Sequence, residues 1–111
     1  MFDWLENELA TAEKKGEFVH LIDHIPIGNN HQSRQCVLRY KVLLERYQNI
    51  ITAYISGHSH SDEMRFIREY YTNKYFFVNY CVSSLSARSY NNPSIRKARA
   101  AVRSAPDEQW K

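Results

Sequence analysis

No window of this 111-residue chain approaches 18 consecutive apolar residues, so no transmembrane helix is expected. The opening segment, MFDWLENELA, lacks a basic stretch ahead of an apolar core. It is acidic and amphipathic, and is not expected to act as a signal peptide. The two cysteines, Cys36 and Cys81, are far apart and neither sits in a CxxC pair; a disulfide between them is left open. Asn92 is followed by Pro93, so no glycosylation sequon remains. These absences leave the compartment unreadable from the residues themselves. There is no internal repeat, no glycine-rich phosphate loop, no GxSxG elbow and no Cys/His nucleophile arrangement.

What is present bounds the chain to one small domain with a modest core. A hydrophobic share of 43% and an aromatic share of 14%, with eight tyrosines, argue against disorder. The formal charge of +3 is uneven: Arg88, Arg96, Lys97, Arg99 and Arg103 fall in a stretch without an acid. Such a block can bind nucleic acid or anionic lipid. No aromatic interleaving or nucleic-acid motif accompanies it, so residues 97–111 read as a solvated basic tail and no nucleic acid is expected as a partner. A nucleic-acid role would show as a steep salt dependence of binding.

Local patterns predict alternating elements. Leu5, Leu9 and Ala12, widened by Trp4, give a helical stripe over residues 2–15, with Asp3 as candidate cap and Lys14-Lys15-Gly16 as its end. FVHLI at 18–22 reads as a short strand with His20 packed in the sheet. It ends at DHIPIG, where Pro26 and Gly28 break regular structure. Asp23 there reads as a turn residue or a partner to His24. Residues 29–35 read as polar loop. Val37, Tyr40, Leu43, Leu44 and Tyr47 predict a second helix over 36–47. Residues 64–68 and 75–82 predict an antiparallel hairpin, and 95–103 a third helix on propensity. Alternation of helix and strand implies an α/β layered sheet.

The stretch 50–63, IITAYISGHSHSDE, organises the rest. Its apolar, β-branched start suits a strand buried on both faces. Gly57 is the expected point of a sharp turn. His58 and His60 follow at the carboxyl end of that strand, where ligands of α/β proteins collect. Neutral imidazole suits zinc and iron. His24 also stands at a strand end. Two adjacent parallel strands would bring its imidazole to the same sheet edge as His58.

Three segments in this order, WLENELATAEKKGE with FVHLIDHIPIG, then CVLRYKVLLERYQNIITAYISGHSHSDEM, then YFFVNYCVSSLSARSYNNPSIR, resemble the C-terminal half of the calcineurin-like metallophosphoesterases. Within them they are most similar to the acid sphingomyelinase-like phosphodiesterases. The resemblance covers residues 1–96. It implies a partial metallophosphoesterase sandwich, truncated at the N-terminus, with a mixed sheet and two or three helices. It implies His24 and His58 as ligands of one metal and His60 as ligand of the other, zinc in each case. The loop 83–95 would line the substrate cleft. It also implies a phosphodiester substrate, sphingomyelin or a related compound, and a secreted or lysosomal location. Departures are Asp23 and Ile27 in the histidine loop, and residues 85–88, which lack the family's Thr-Pro. The family's DxH, GDxxD and GNH elements are absent. A two-metal hydrolase needs its ions about 3.5–4 Å apart, and three histidines without a bridging carboxylate cannot hold that pair. The chain is therefore expected to hold at most one zinc, to be inactive without a missing N-terminal half, and to bare sheet edges and an apolar face. The alternative is a non-catalytic remnant or metal- and anion-binding module.

Overall fold

A computed structural model describes residues 1–69, 71–87 and 90–98. Helix α1 (Phe2–Lys15) forms where the apolar stripe recurs, burying Leu9 and Ala12. Gly16 ends it in the left-handed region at φ 69°, where a side chain would be disfavoured, and its N–H donates to the Glu13 carbonyl. Two details differ from expectation. The N-cap is Met1, without a side-chain hydrogen bond; Asp3 lies inside the first turn and its carboxylate pairs instead with Arg39. Trp4 is 63% exposed, one position off the buried stripe.

Helix α2 (Arg34–Arg46) starts two residues earlier than the apolar spacing suggests, because the Ser33 hydroxyl caps it by accepting from the Cys36 N–H at 3.3 Å. Tyr40, Leu43 and Leu44 form its buried face. Arg46 holds the Glu13 carboxylate with two bonds of 2.8 and 2.9 Å. With Asp3 at the start of α1 paired to Arg39 in the middle of α2, the two ion pairs set the helices in the same direction.

The strands are β1 (Val19–Ile22), β2 (Ile51–Ser56), β3 (Glu63–Arg68) and β4 (Tyr75–Cys81). Their order in the sheet is β1-β2-β4-β3. β1 and β4 both run parallel to β2, and β3 pairs antiparallel with β4. The architecture is thus α/β: a mixed four-stranded sheet with two helices, and the expected hairpin closes on Asn73 at φ 56°.

Both helices cover one face of the sheet. Leu9, Tyr40, Leu43 and Leu44 pack with Leu21, Ile51, Tyr54 and Ile67 in a single core. The Tyr40 ring meets the Tyr54 ring edge-on, centroids 5.7 Å apart. Burial raises the Tyr40 phenol to about 12 and pushes Tyr54 up further.

Among the described residues no element covers the other face, in keeping with the bared apolar face that the resemblance implies. Ile22, Ile55, Tyr80 and Met64 form one cross-strand row on it, and Ile22 is 81% exposed. This corrects two expectations. The strand at 50–55 is not buried on both faces, since Thr52 is exposed and Ile55 half-buried. His20 is exposed rather than packed, because β1 is an edge strand and nothing described lies over its outer side.

Residues 95–98 are irregular, and the remainder of the helix expected over 95–103 lies outside the described residues, as does most of the 97–111 tail. Cys36 is exposed and Cys81 buried, both free. Among the described residues no helix is long and apolar enough to cross a membrane.

The one-sided core makes a directional prediction. Leu44→Ala, at a fully buried position, should lower stability by about 2–5 kcal/mol, whereas Ile22→Ala should change it by less than about 0.5 kcal/mol. Urea unfolding of the two variants checks this; equal losses would contradict the one-faced core.

Candidate metal centre

The parallel pairing of β1 with β2 continues past the last strand residues. The Asp23 N–H donates to the Ile55 carbonyl and the Gly57 N–H to the His24 carbonyl, each at 3.0 Å. The two loops therefore leave the sheet side by side. A buried polar knot anchors β2 just below them. The Ser56 hydroxyl donates to Asn79 Oδ1 at 2.9 Å, and Asn79 Nδ2 donates to the Tyr54 carbonyl at 3.3 Å. Cys81 Sγ lies 3.3 Å from the Ser56 hydroxyl and 3.4 Å from Asn79 Oδ1. These groups are almost wholly buried, so their mutual bonds are what makes burial tolerable.

The backbone then bends at an unexpected place. Gly57 does not carry the turn: it is His58 and His60 that adopt positive φ, 71° and 60°. A Cβ on Gly57 would meet the His24 carbonyl oxygen at 3.8 Å, an ordinary contact. Non-glycine residues in the left-handed region cost about 1–3 kcal/mol each and gather at functional sites. Both histidines are thus out of the strand conformation.

His24 and His58 come together. His24 Nε2 lies 3.4 Å from His58 Nδ1, the rings edge-on with centroids 5.3 Å apart. His60 does not join this contact through any hydrogen bond of its ring among the described residues. Its Nδ1 is buried and has no hydrogen-bond partner among the described residues. A third imidazole arrives instead from the polar loop after Pro26: His31 Nδ1 lies 3.1 Å from His58 Nε2. Sequence spacing gave no signal for His31, because its approach depends on how the loop 25–32 folds. That loop is stapled by Gln32, which accepts from the Gly28 N–H at 3.0 Å and donates to the Ile25 carbonyl at 3.2 Å. Asn29 Oδ1 also accepts from the His31 N–H at 3.0 Å. Asp23 is a turn residue, its carboxylate accepting from the adjacent His24 N–H at 2.7 Å.

The segment expected to line a cleft folds back on the histidine loop. Asn91 Nδ2 donates to the His60 carbonyl at 3.2 Å and to the Ser61 hydroxyl at 3.3 Å, and Arg96 pairs with Asp62.

The donor set fits part of a zinc shell. Two nitrogens bound to a tetrahedral zinc at 2.0–2.1 Å sit about 3.3–3.4 Å apart, which is the separation of His24 Nε2 and His58 Nδ1. The buried His60 Nδ1 is a further polar atom, with no hydrogen-bond partner among the described residues. Among the described residues, however, no three His, Cys, Asp or Glu side chains are arranged to hold one metal ion.

The chain is 33% identical over 99 residues to sphingomyelin phosphodiesterase 2 of Caenorhabditis elegans, covering 85% of this chain and 16% of that protein. It resembles the sphingomyelin phosphodiesterases. The human sphingomyelin phosphodiesterase is 42% identical over 60 residues, covering 54% of this chain and 9% of that protein. An endopolyphosphatase of Cryptococcus neoformans is 40% identical over 65 residues, covering 59% and 10%. The sphingomyelinase-like chain thus spans no more than about a sixth of the length of these relatives. Together these likenesses support an acid sphingomyelinase-like family of phosphodiesterases. No family model matches the chain.

The surroundings of His58, the central imidazole of this sphingomyelinase-like loop pair, disfavour its charged form. Desolvation lowers the His58 pKa, and His31, His24, His60 and Arg65 add repulsion in that order. Because the folded value lies below the unfolded one, the unfolded chain takes up this proton first. The stability owed to neutral His58 is complete above the ordinary histidine value of 6.5 and is lost as pH falls through it. The denaturation midpoint should therefore drop between about pH 7 and pH 5, more shallowly in His58→Gln. Parallel profiles for the two proteins would contradict the assignment.

Proposed function

We propose that this chain is a segment of a metal-dependent phosphodiesterase of the acid sphingomyelinase type, part of the calcineurin-like metallophosphoesterases. In this reading it carries the imidazole side of a two-metal site. His24 Nε2 and His58 Nδ1 hold one zinc, and His60 holds the second. What carries the reading is the 3.4 Å approach of His24 to His58 across paired strand ends. The likeness to named sphingomyelin phosphodiesterases gives it a substrate class, a sphingomyelin-type phosphodiester. A secreted or lysosomal location belongs to the same proposal.

When bound, a zinc pair supplies an activated water and a Lewis acid for the leaving oxygen. The chain's own residues orient and shield. The β1–β2 pairing fixes the distance between the two histidine loops. His58 and His60 both take left-handed backbone conformations in the loop between β2 and β3. Asn91 ties the segment 90–96 against the His60 loop, where it would border a phosphodiester. The bridging carboxylate and the remaining donors must come from outside these 111 residues, since DxH, GDxxD and GNH elements are not among them.

The second reading is a non-catalytic remnant or a metal- and anion-binding module, in which His24 and His58 supply two of an ion's donors and solvent the rest, since no three-donor set is found among the described residues. The two readings agree on the metal and differ on chemistry.

Calorimetry with zinc and the full chain should show at most one ion bound. His24→Ala or His58→Ala should weaken binding by about tenfold or more. Zinc binding unaffected by either change would remove the metal role. The chain with zinc should not turn over a chromogenic phosphodiester. Turnover abolished by His58→Ala would show instead that 111 residues suffice.

A further inference from the structure

We propose that His31 is a positioning residue that fixes the tautomer of His58, holding the proton on His58 Nε2 so that His58 Nδ1 presents its lone pair beside His24. The inference rests on the zinc reading above and concerns a residue that neither the spacing nor the resemblance assigned.

The argument is geometric. His58 is the middle ring of three, with one neighbour at each nitrogen: His31 Nδ1 at 3.1 Å from Nε2, and His24 Nε2 at 3.4 Å from Nδ1. The two contacts differ in kind. The shorter lies within ordinary N–H donor distance, whereas the longer is beyond it and matches two donors sharing a tetrahedral ion. A neutral imidazole has one donor and one acceptor. If His58 donates from Nε2 to His31, its Nδ1 is left as an acceptor facing His24. If His31 donated instead, His58 would carry its proton on Nδ1 and the metal position would be blocked.

Two features favour the first sense. In it each of the three rings can carry its proton on Nε2, the form neutral histidine favours in water. His31 is also not a free side chain on a loose loop. Asn29 holds its N–H, and Gln32 holds the backbone at Gly28 and Ile25. His31 is not itself a ligand of the same ion, because the nitrogen of His58 that it touches points away from the one that meets His24. Metal-binding histidines commonly give their second N–H to an outer acceptor that sets tautomer and ring orientation. In this chain that acceptor would be an imidazole. When an ion arrives, only His24, which is exposed, has to move a proton from Nε2 to Nδ1.

The test uses the full chain and two substitutions at an exposed side chain, neither of which threatens the core. Nitrogen-15 shifts of the metal-free protein, at a pH about one to two units above the ordinary histidine value, read the tautomer of His58 directly. The expected result is a proton on His58 Nε2 in the parent chain and a mixed population in His31→Phe. Zinc affinity by calorimetry should fall about tenfold or more in His31→Phe. His31→Asn, which keeps an acceptor near the Nδ1 position, should restore both readouts. A proton on His58 Nδ1 in the parent chain overturns the inference. So does a His31→Phe variant with unchanged tautomer and zinc affinity, or a His31→Asn variant no better than His31→Phe. Failure of the parent chain to bind zinc while the shifts behave as expected would sink the zinc reading and leave His31's control of the tautomer standing.

Discussion

The parallel ladder between β1 and β2 is the constraint on which the rest depends. Its register, Ile22 opposite Ile55, is carried past the strands by the Asp23–Ile55 and Gly57–His24 backbone bonds. A one-residue slip would turn Leu21 from the core to the bare face and carry His24 away from His58. The core therefore enforces the site: Leu21 is buried only in the register that sets the histidine loops side by side.

The same economy shows in how strain is carried. Left-handed His58 and His60 are costly conformations. They sit directly after the best-anchored point of β2, where Ser56, Asn79 and Cys81 satisfy one another. The Asn91 bonds to the His60 carbonyl and Ser61 hold the far side of the turn. A strand end and a returning segment thus clamp the short loop that carries His58 and His60.

Much of this was legible in the residues. Leu5, Leu9 and Ala12 with Gly16 specify α1 because helix period and a glycine end agree. The β-branched run before Gly57 specifies β2, and a turn at Thr72-Asn73 specifies the β3–β4 hairpin. The adjacency of the DHIPIG and GHSH loops followed from two strands joined through a helix. The misses share a cause: they depend on neighbours, not on local pattern. Asp3 reads as a cap but is drawn to Arg39 on another helix. Trp4 reads as core but falls one position outside the stripe. His20 reads as buried, yet no element among the described residues covers its face of the sheet. Gly57 reads as the flexible point, yet the positive φ angles fall on the histidines. His31 carries no signal at all, since only the stapling of its loop by Gln32 and Asn29 brings it to His58.

Two edge strands and an apolar outer row of Ile22, Ile55, Tyr80 and Met64 give the molecule one finished face and one unfinished one. The histidine loops emerge at the end of the sheet, so the site depends on the finished face for its geometry. The direct measurement is a proton–proton Overhauser experiment on the metal-free chain, read at the histidine ring protons. Ring centroids 5.3 Å apart predict a cross-peak between His24 and His58. A His24 ring with no contact to His58 would contradict the convergence of the two strand ends, and every functional reading built on it.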